Sequence, residues 1–554
     1  MKLQNKILKI NIKTPFILTS LFASATLLNA MEFGTMGNVS ASMGGAGVAL
    51  KSPFGLYYNP ALIVSDTRTR IGYSIGIGFS QHNLDKLTNL NFVKMFDTLN
   101  SVGNQMAGGN KEITKDPITN NPSNGSANQT DNLNKVLKEA LQKTIGNTNE
   151  TDLDKLWKEY SGKHTTDHST LATNLEKEVQ NSNMPQDLKD VFSDFARSVD
   201  WSNFDVSNGK VSKVTIKSGS NGALDAAMKD LDTIFKVFKD NNINLVSQNG
   251  FVIQFSSETL KEKYGSMAIG IFNTVQAGVA LAANKEKVRL IFGDSQGYYE
   301  LKITDNGYTL QQSDKDTHDK YSLMKAVDDG DVHKIVSSIV TVTELPVGYA
   351  YNFNFGNYDL SLGVALKAML GTSLYHEQFL NATMRFNKNF SNLVQYSGTA
   401  GIDAGALFSH RIGNNQEVSL GLVVKNINSP KFEFNTAPTI LIKPQYRAGV
   451  AYNGKWFSLA FDADILPNER LNYSNDGLYS QVVGGGFKLD YRIVDIRGGV
   501  SYDFRQDNGI IFTTGINILG FLDIAAELGT KWVNYFGYNA PKYANVRIGG
   551  SFSW

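Results

Sequence analysis

The chain contains no cysteine among its 554 residues. Disulfide frameworks, thiolate catalysis and cysteine-ligated zinc are excluded at once. Charge is also scarce: 19% of residues are charged, against about 25% in soluble domains. With a formal net charge of +1, there is no basic excess to meet nucleic-acid phosphates, and no nucleic-acid partner is expected. Proline is limited to 12 residues. Beyond the N-terminus no apolar run reads as a spanning helix, because the most apolar window, Ser266 to Ala283, is interrupted by Asn273, Thr274 and Gln276. Glycine (50), phenylalanine (32) and tyrosine (23) are abundant, and 42% of residues are hydrophobic. Such a chain is too apolar for disorder and suits long strands.

Lys2, Lys6, Lys9 and Lys13 precede an apolar run from Phe16 to Leu28 that ends at Asn29-Ala30. This is the pattern of a secretory signal peptide. Residues 1–30 are expected to be removed, since the run falls short of the ~20 residues a retained anchor would need. An exported chain without a spanning helix can be periplasmic, secreted, or inserted in the outer membrane as a closed barrel.

Alternation decides in favour of the barrel. In Arg70 to Ser80, one face carries Ile71, Tyr73, Ile75, Ile77 and Phe79, and the other carries Gly, Ser and Arg. The same period recurs along Leu360/Leu362/Val364/Leu366, Val418/Leu420/Leu422/Val424, Phe457/Leu459/Phe461/Ala463 and Val546/Ile548/Phe552/Trp554. Strands are expected near 69–81, 250–257, 265–281, 338–352, 358–373, 395–411, 416–428, 441–453, 456–466, 478–489, 492–503, 508–516, 520–530 and 543–554. Their links alternate between long and short, as in outer-membrane barrels with short periplasmic turns and long external loops. The expected fold is therefore all-β: about 14 antiparallel transmembrane strands. Lys287 to Leu310 can hold a further hairpin around Asp305-Asn306-Gly307. Tyr349, Tyr351, Phe353, Tyr452, Trp456 and Tyr502 fit interfacial aromatic girdles. The aromatic terminus Trp554 resembles the signal by which the barrel-assembly machinery takes up its clients. Outer-membrane lipid and that machinery are the expected partners.

Residues 82–249 differ in kind. Leu133/Val136/Leu137/Leu141, Leu171/Leu175/Val179, Leu188/Val191/Phe192/Phe195 and Leu224/Met228/Leu231/Phe235/Phe238 follow helical spacing. A helical insertion on the extracellular side is expected, with Asp131 as N-cap of its first helix and the stretch from Asn120 to Asn132 as a linker.

Two boxes precede the first strand: Ser42-Met-Gly-Gly-Ala-Gly-Val-Ala49, with Gly44, Gly45 and Gly47, and Phe54-Gly-Leu-Tyr-Tyr-Asn-Pro-Ala-Leu62, with Asn59-Pro60-Ala61. No Gly-Lys-Ser follows, so a phosphate-cradling loop is not indicated. The boxes resemble the N-terminal region of the FadL-like outer-membrane transporter superfamily. Within it, Met31 to Ser40, Val424 to Phe432 and Pro444 to Tyr452 are most similar to the plasmid-transfer TraF-type outer-membrane proteins. The resemblance does not extend to 82–249. It implies that residues 31–66 form a hatch inside the barrel, 67–81 the first strand and 250–554 the rest of the wall, with Asn59, Pro60, Ala61, Gly44, Gly45 and Gly47 as hatch or ligand residues. It also implies passage of hydrophobic molecules. Asn59 and Pro60 can equally end a turn and hold the hatch to the wall.

The inward faces are expected to carry Lys367, Lys425, Arg447, Lys488, Arg497 and Arg547 against Asp403, Asp462, Asp464, Asp495, Asp503, Asp523 and Glu527. This near-balance favours cross-strand pairs over a charged selectivity ring. Gly72-Tyr-Ser-Ile-Gly76 matches a nucleophile elbow in letters, but Ser74 lies mid-strand, where no turn exposes its hydroxyl. His164 and His168 lack the rest of a zinc motif. Neither the Asp314/Asp316/Asp319 run nor the Asp328-to-Asp331 run completes a calcium loop. No enzyme, cofactor or metal is expected. The function expected is passive transport of small hydrophobic molecules across the bacterial outer membrane; the alternative is a structural or interaction protein of a conjugation or surface complex that works through its insertion.

Overall fold

In the computed structural model the described residues are 27–29, 31–83, 86, 99, 102–103, 105–108 and 131–554, apart from 220–222, 240, 295–296, 305–306, 380–393, 414–415, 472–477 and 536–537. Of the expected signal peptide only residues 27–29 are among them, and the expected linker up to residue 130 lies outside them.

Fourteen antiparallel strands close a barrel in chain order. They are Arg70–His82, Asn242–Phe255, Ser266–Ala282, Lys334–Phe355, Tyr358–Phe379, Val394–Gly413, Gln416–Lys425, Gln445–Asn453, Phe457–Asp464, Val482–Asp490, Val494–Asp503, Ile510–Ile518, Leu522–Gly529 and Tyr543–Ser553. The seam pairs the first strand with the last, Ile75 opposite Ile548, and Trp554 donates its N–H to the Thr69 carbonyl at 3.1 Å. Closure removes every edge that lipid could not satisfy. The alternation has the expected sense: Ile75, Ile77, Leu366, Leu420, Phe461 and Ile548 are exposed on the outer face, while Ser74, Lys367, Ser419, Asp462 and Arg547 are buried on the inner face. At the short-turn end, Tyr264, Phe355, Tyr358, Trp456, Tyr491, Phe521 and Trp554 form an exposed aromatic rim.

The insertion departs from the expected one in extent and class. The second strand begins at Asn242, so the excursion from the wall ends before 249. It is not wholly helical: Asp205–Ser207 and Lys210–Lys217 are strands that join Leu290–Asp294, Gly297–Thr304 and Gly307–Ser313 from the next loop in one five-stranded sheet. The hairpin expected near Gly307 therefore exists, but it belongs to this outer domain and not to the barrel. Sequence period alone cannot say which sheet a hairpin joins.

Helices Leu133–Ile145, Leu153–Lys163, Ser169–Asn181, Gln186–Ser198 and Ala223–Lys239 pack with that sheet around one core containing Leu137, Trp157, Leu175, Phe192, Trp201 and Leu310. Asn132, not Asp131, caps the first helix, accepting from the Lys135 N–H at 3.0 Å. Asp131 instead pairs with Lys135 Nζ at 2.6 Å and accepts from the Asn183 N–H at 3.0 Å, tying two helices together. On the last helix, Met228, Leu231, Ile234 and Val237 face the core; the side chains of Leu224, Phe235 and Phe238 lie outside the described residues. No helix among the described residues is long and apolar enough to cross a membrane.

Candidate functional site: a hatch locked in the barrel lumen

Residues 33–64 are buried almost without break inside the barrel, yet their helices are four or five residues long. Such a segment has no core of its own, and the wall supplies its partners. The first box makes a tight turn: Gly44 and Gly45 have φ of 68° and 82°, a region that side chains with a Cβ occupy at a cost. A Cβ on Gly44 would also stand 2.3 Å from the Val500 carbonyl oxygen. The Gly47 and Val48 N–H groups donate to Asp462 Oδ2 at 2.7 and 2.9 Å, and the Gly44 N–H donates to Thr513 Oγ1 at 3.0 Å.

The second box closes the lock. Asn59 Oδ1 accepts from the Ala61 N–H at 3.0 Å, capping the short helix Pro60–Val64, in which Pro60 occupies the first turn. Its Nδ2 donates to the Val48 carbonyl at 2.9 Å and to the Ala406 carbonyl of the wall at 3.1 Å. One amide thus joins both boxes and the barrel. The wall gives way by omitting side chains: a Cβ on Gly405 would stand 1.9 Å from Asn59 Oδ1, and one on Gly363 would stand 2.3 Å from the Ala61 nitrogen.

The lumen carries an apolar cluster and several charged ones. Beneath Phe54, Leu56, Tyr57 and Ile63 of the hatch the wall presents Val252, Ala268, Phe272, Ala350 and Ala365. Charges expected from the sequence lie on the same and on neighbouring strands, Glu344 directly across from Phe272, and the structure sorts them. Lys367 pairs with Asp403 at 3.0 Å and with Glu344 at 3.1 Å, Arg447 with Asp464 at 2.6 Å, and Arg497 with Asp495 at 2.8 Å and with Asp523. Lys488 lies 3.6 Å from Asp490. The remaining groups do other work. Asp462 holds the hatch, Asp503 accepts from Ser480 Oγ at 2.7 Å and the Gln481 N–H at 2.9 Å, and Arg547 donates to Gln248 Oε1 and to the Gln248 carbonyl. Glu527 accepts from the Tyr543 hydroxyl. Lys425 sits over the Tyr57 ring at 3.5 Å, and Arg447 over Phe33 at 4.0 Å, so cations of the wall also grip aromatic rings of the hatch.

Several of these contacts escape sequence reasoning. Asn38 donates to the Asp523 carbonyl and accepts from Ser74 Oγ, both at 2.7 Å; this is where the mid-strand Ser74 is used. Glu344 and Thr513 likewise carry no local signature. On the loop side, Phe432 and Ile440 of an inward-folded loop pack with Ile442 and Leu471 on Val340, Val342 and Met369. Leu27–Asn29 run parallel to Thr439–Leu441 of the same loop. Between hatch and wall a cavity of about 90 Å³ remains, lined by Glu32, Phe33, Arg447, Arg470, Glu527 and Arg547 among others. Ligand sites run to ~300–1,000 Å³, so this cavity is too small to hold one.

In the outer domain His168 Nδ1 meets the Tyr160 hydroxyl at 2.9 Å, and the His164 ring stacks on Tyr160. Asp314 caps a helix, accepting from the Thr317 N–H at 2.7 Å, and Asp319 pairs with Lys315 at 2.7 Å. Among the described residues no group of three or more acidic or histidine side chains could hold a metal ion.

These features define a membrane-spanning β-barrel of the outer-membrane type, fourteen-stranded and closed by an N-terminal hatch. Residues 178–464 match the family model described as "F plasmid transfer operon, TraF, protein". That span exceeds half of the chain, and the chain belongs to this family. No curated protein matches it. Similar solved structures include the P. putida toluene transporter TodX (8% identity, TM-score 0.35, covering 94% of this chain and 99% of that one). The Ralstonia pickettii toluene transporter TbuX is similar at 10% identity, TM-score 0.34, with 94% and 98% covered. A Pseudomonas aeruginosa FadL homologue is similar at 9% identity, TM-score 0.32, with 95% and 98% covered. At such distances these likenesses decide nothing about cargo; the barrel rests on this chain's own strand pairing.

Proposed function

We propose that this chain lies in the bacterial outer membrane, with the outer domain on the external side, and passes small hydrophobic molecules when residues 31–66 shift. The supporting observation is an apolar strip in the lumen: Val252, Ala268, Phe272, Ala350 and Ala365 face inward against Phe54, Leu56, Tyr57 and Ile63 of the hatch, among polar residues such as Gln248 and Glu344 of the same strands. Displacing the hatch side chains from that strip leaves an apolar surface of the kind that holds hydrophobic ligands by buried area. Asn59, Gly44 and Gly47 serve here as the lock, not as ligand contacts.

Uptake of radiolabelled toluene and of a long-chain fatty acid by cells expressing the protein tests this, with a sugar as the polar control. Faster entry of either apolar solute, lost on Ala268→Asp, supports the reading. Entry no faster than in cells lacking the protein sinks it. A second reading, an interaction protein of a conjugation or surface complex, is favoured by the outer domain, whose two insertions build a core independent of the lumen. Surface cross-linking of intact cells that captures one defined partner through residues 131–239 would support that reading.

A further inference from the structure

A hollow of about 1110 Å³ opens on the outer wall of the barrel, across the strands Gln445–Asn453, Phe457–Asp464, Val482–Asp490 and Val494–Asp503. Strand register explains it. Leu459, Phe487 and Gly498 are successive cross-strand partners on the outer face, as are Phe461, Gly485 and Val500 in the next such row. Gly485 and Gly498 leave two adjacent outward positions without side chains, and Phe461, Phe487, Val500, Tyr452 and Tyr502 stand around the gap. The inward glycines of the same patch are bare as well: a Cβ on Gly486 would stand 2.7 Å from the Met43 Cα, and one on Gly499 would stand 2.8 Å from the Gly44 nitrogen. At this point one layer of backbone separates lipid from hatch.

The turn-side end of the hollow has a different chemistry. Trp456, in the turn after Asn453, is flanked by Lys455, whose Nζ lies 5.5 Å from the ring centroid, and by Arg492 of the neighbouring turn, whose Cζ lies 5.9 Å from it. Arg492 has a φ of 68°, the left-handed region in which a side chain is held at a cost. Asp490 is engaged by Lys488, and neither Lys455 nor Arg492 forms an ion pair among the described residues. Trp456 is three residues from Leu459, about 10 Å along a strand, so two cations lie one headgroup's reach from the apolar hollow.

We propose that this is a binding site for one anionic glycerophospholipid of the leaflet at the short-turn end, with an acyl chain lying in the hollow and the phosphate between Lys455 and Arg492. An apolar hollow on a lipid-facing wall holds no water, since nothing there would hydrogen-bond it. A second copy of the chain is the poorer occupant, because two-fold pairing would set concave surface against concave surface. Lipid A is disfavoured because the cations stand at the turn end, while the loop end is bounded by Tyr502 and Ile510 beside Asp503. The leaflet assignment rests on the orientation proposed above; the site itself does not depend on transport.

The test is native mass spectrometry of the whole protein purified in mild detergent, titrated with palmitoyl-oleoyl phosphatidylglycerol and separately with the uncharged dioleoylglycerol. Wild type is expected to hold one phosphatidylglycerol at least fivefold more tightly than Gly498→Leu, in which a new Cβ meets first the movable Phe487 ring at 3.2 Å. Val500→Trp, which fills the hollow from its rim, is expected to lose the lipid as well, with the heat-shifted band on gels confirming that both variants are folded. Lys455→Gln with Arg492→Gln is expected to weaken phosphatidylglycerol at least threefold and leave dioleoylglycerol unchanged. Equal lipid retention by wild type and both filled variants overturns the site. Retention of lipid A in place of phospholipid, or a dimer mass abolished by Gly498→Leu, overturns the occupant.

Discussion

The hatch and the outer domain are both buried chain, yet they are built in opposite ways. The outer domain draws on two separate loops and buries leucines, phenylalanines and tryptophans against one another; its helices carry their own apolar stripes, so each piece brings part of the core. The hatch has helices of at most five residues, buries Asn38, Ser42 and Asn59 as readily as Phe54 or Leu62, and satisfies its backbone on the wall. A segment that makes its own core is defined by what it carries. A segment that fills another's interior is defined by what its container leaves out, which here is the side chain at Gly363, Gly405 and Gly486.

If the two regions are independent, Phe192→Ala, at a fully buried position, should cost the outer domain about 3–5 kcal/mol and leave the barrel's heat-shift on gels unchanged. Fluorescence of the buried Trp157 and Trp201 reports the domain. A barrel that fails together with the domain would break the comparison. Asp462→Ala should act the other way. It leaves the Gly47 and Val48 N–H groups buried without their acceptor, at about 1–3 kcal/mol each, and should lower the heat-shift temperature and raise conductance in planar bilayers with the tryptophan signal unmoved. Gly363→Val presses a side chain on the backbone of Pro60 and Ala61; an overpacking cost of about 1–3 kcal/mol should again appear in the barrel alone.

The smallest effect is that of pH on the outer domain. Burial, with the charge of His164, lowers the His168 pKa below its usual 6.5. The folded state then binds protons less readily than the unfolded chain, so stability is full above pH ~6.5 and falls as pH drops through it toward the lowered value. The thermal midpoint of the tryptophan signal should decline between pH 7.5 and 5.5 and decline less in His168→Gln; an identical decline in that variant would remove His168 from the account.

How much of this was legible in advance follows the same division. Strand count and the inward placement of Arg447, Arg497, Arg547, Asp523 and Glu527 could be read because a period of two assigns faces without any knowledge of neighbours. The helical stripes of 133–198 were equally plain. What a given inward charge touches was not legible: Asp462 and Asp464 stand two residues apart on one face, and one holds the hatch while the other holds Arg447. The hairpin at Gly307 could be recognised as a hairpin, but its sheet could not be named, because pairing partners lie about a hundred residues away in the chain.

By itself the sequence determined the closed barrel, its apolar exterior, the alternation of turn and loop ends, and the two glycine- and asparagine-bearing boxes, all of which are consequences of local period and local backbone preference. Tertiary structure decided the rest: that the boxes lock to each other through Asn59, that an apolar strip and ion pairs share the lumen, that two loops share one outer domain, and that Gly485 and Gly498 hollow the wall beside Lys455 and Arg492. Each of those depends on which strands become neighbours, and register is a property of the assembled sheet.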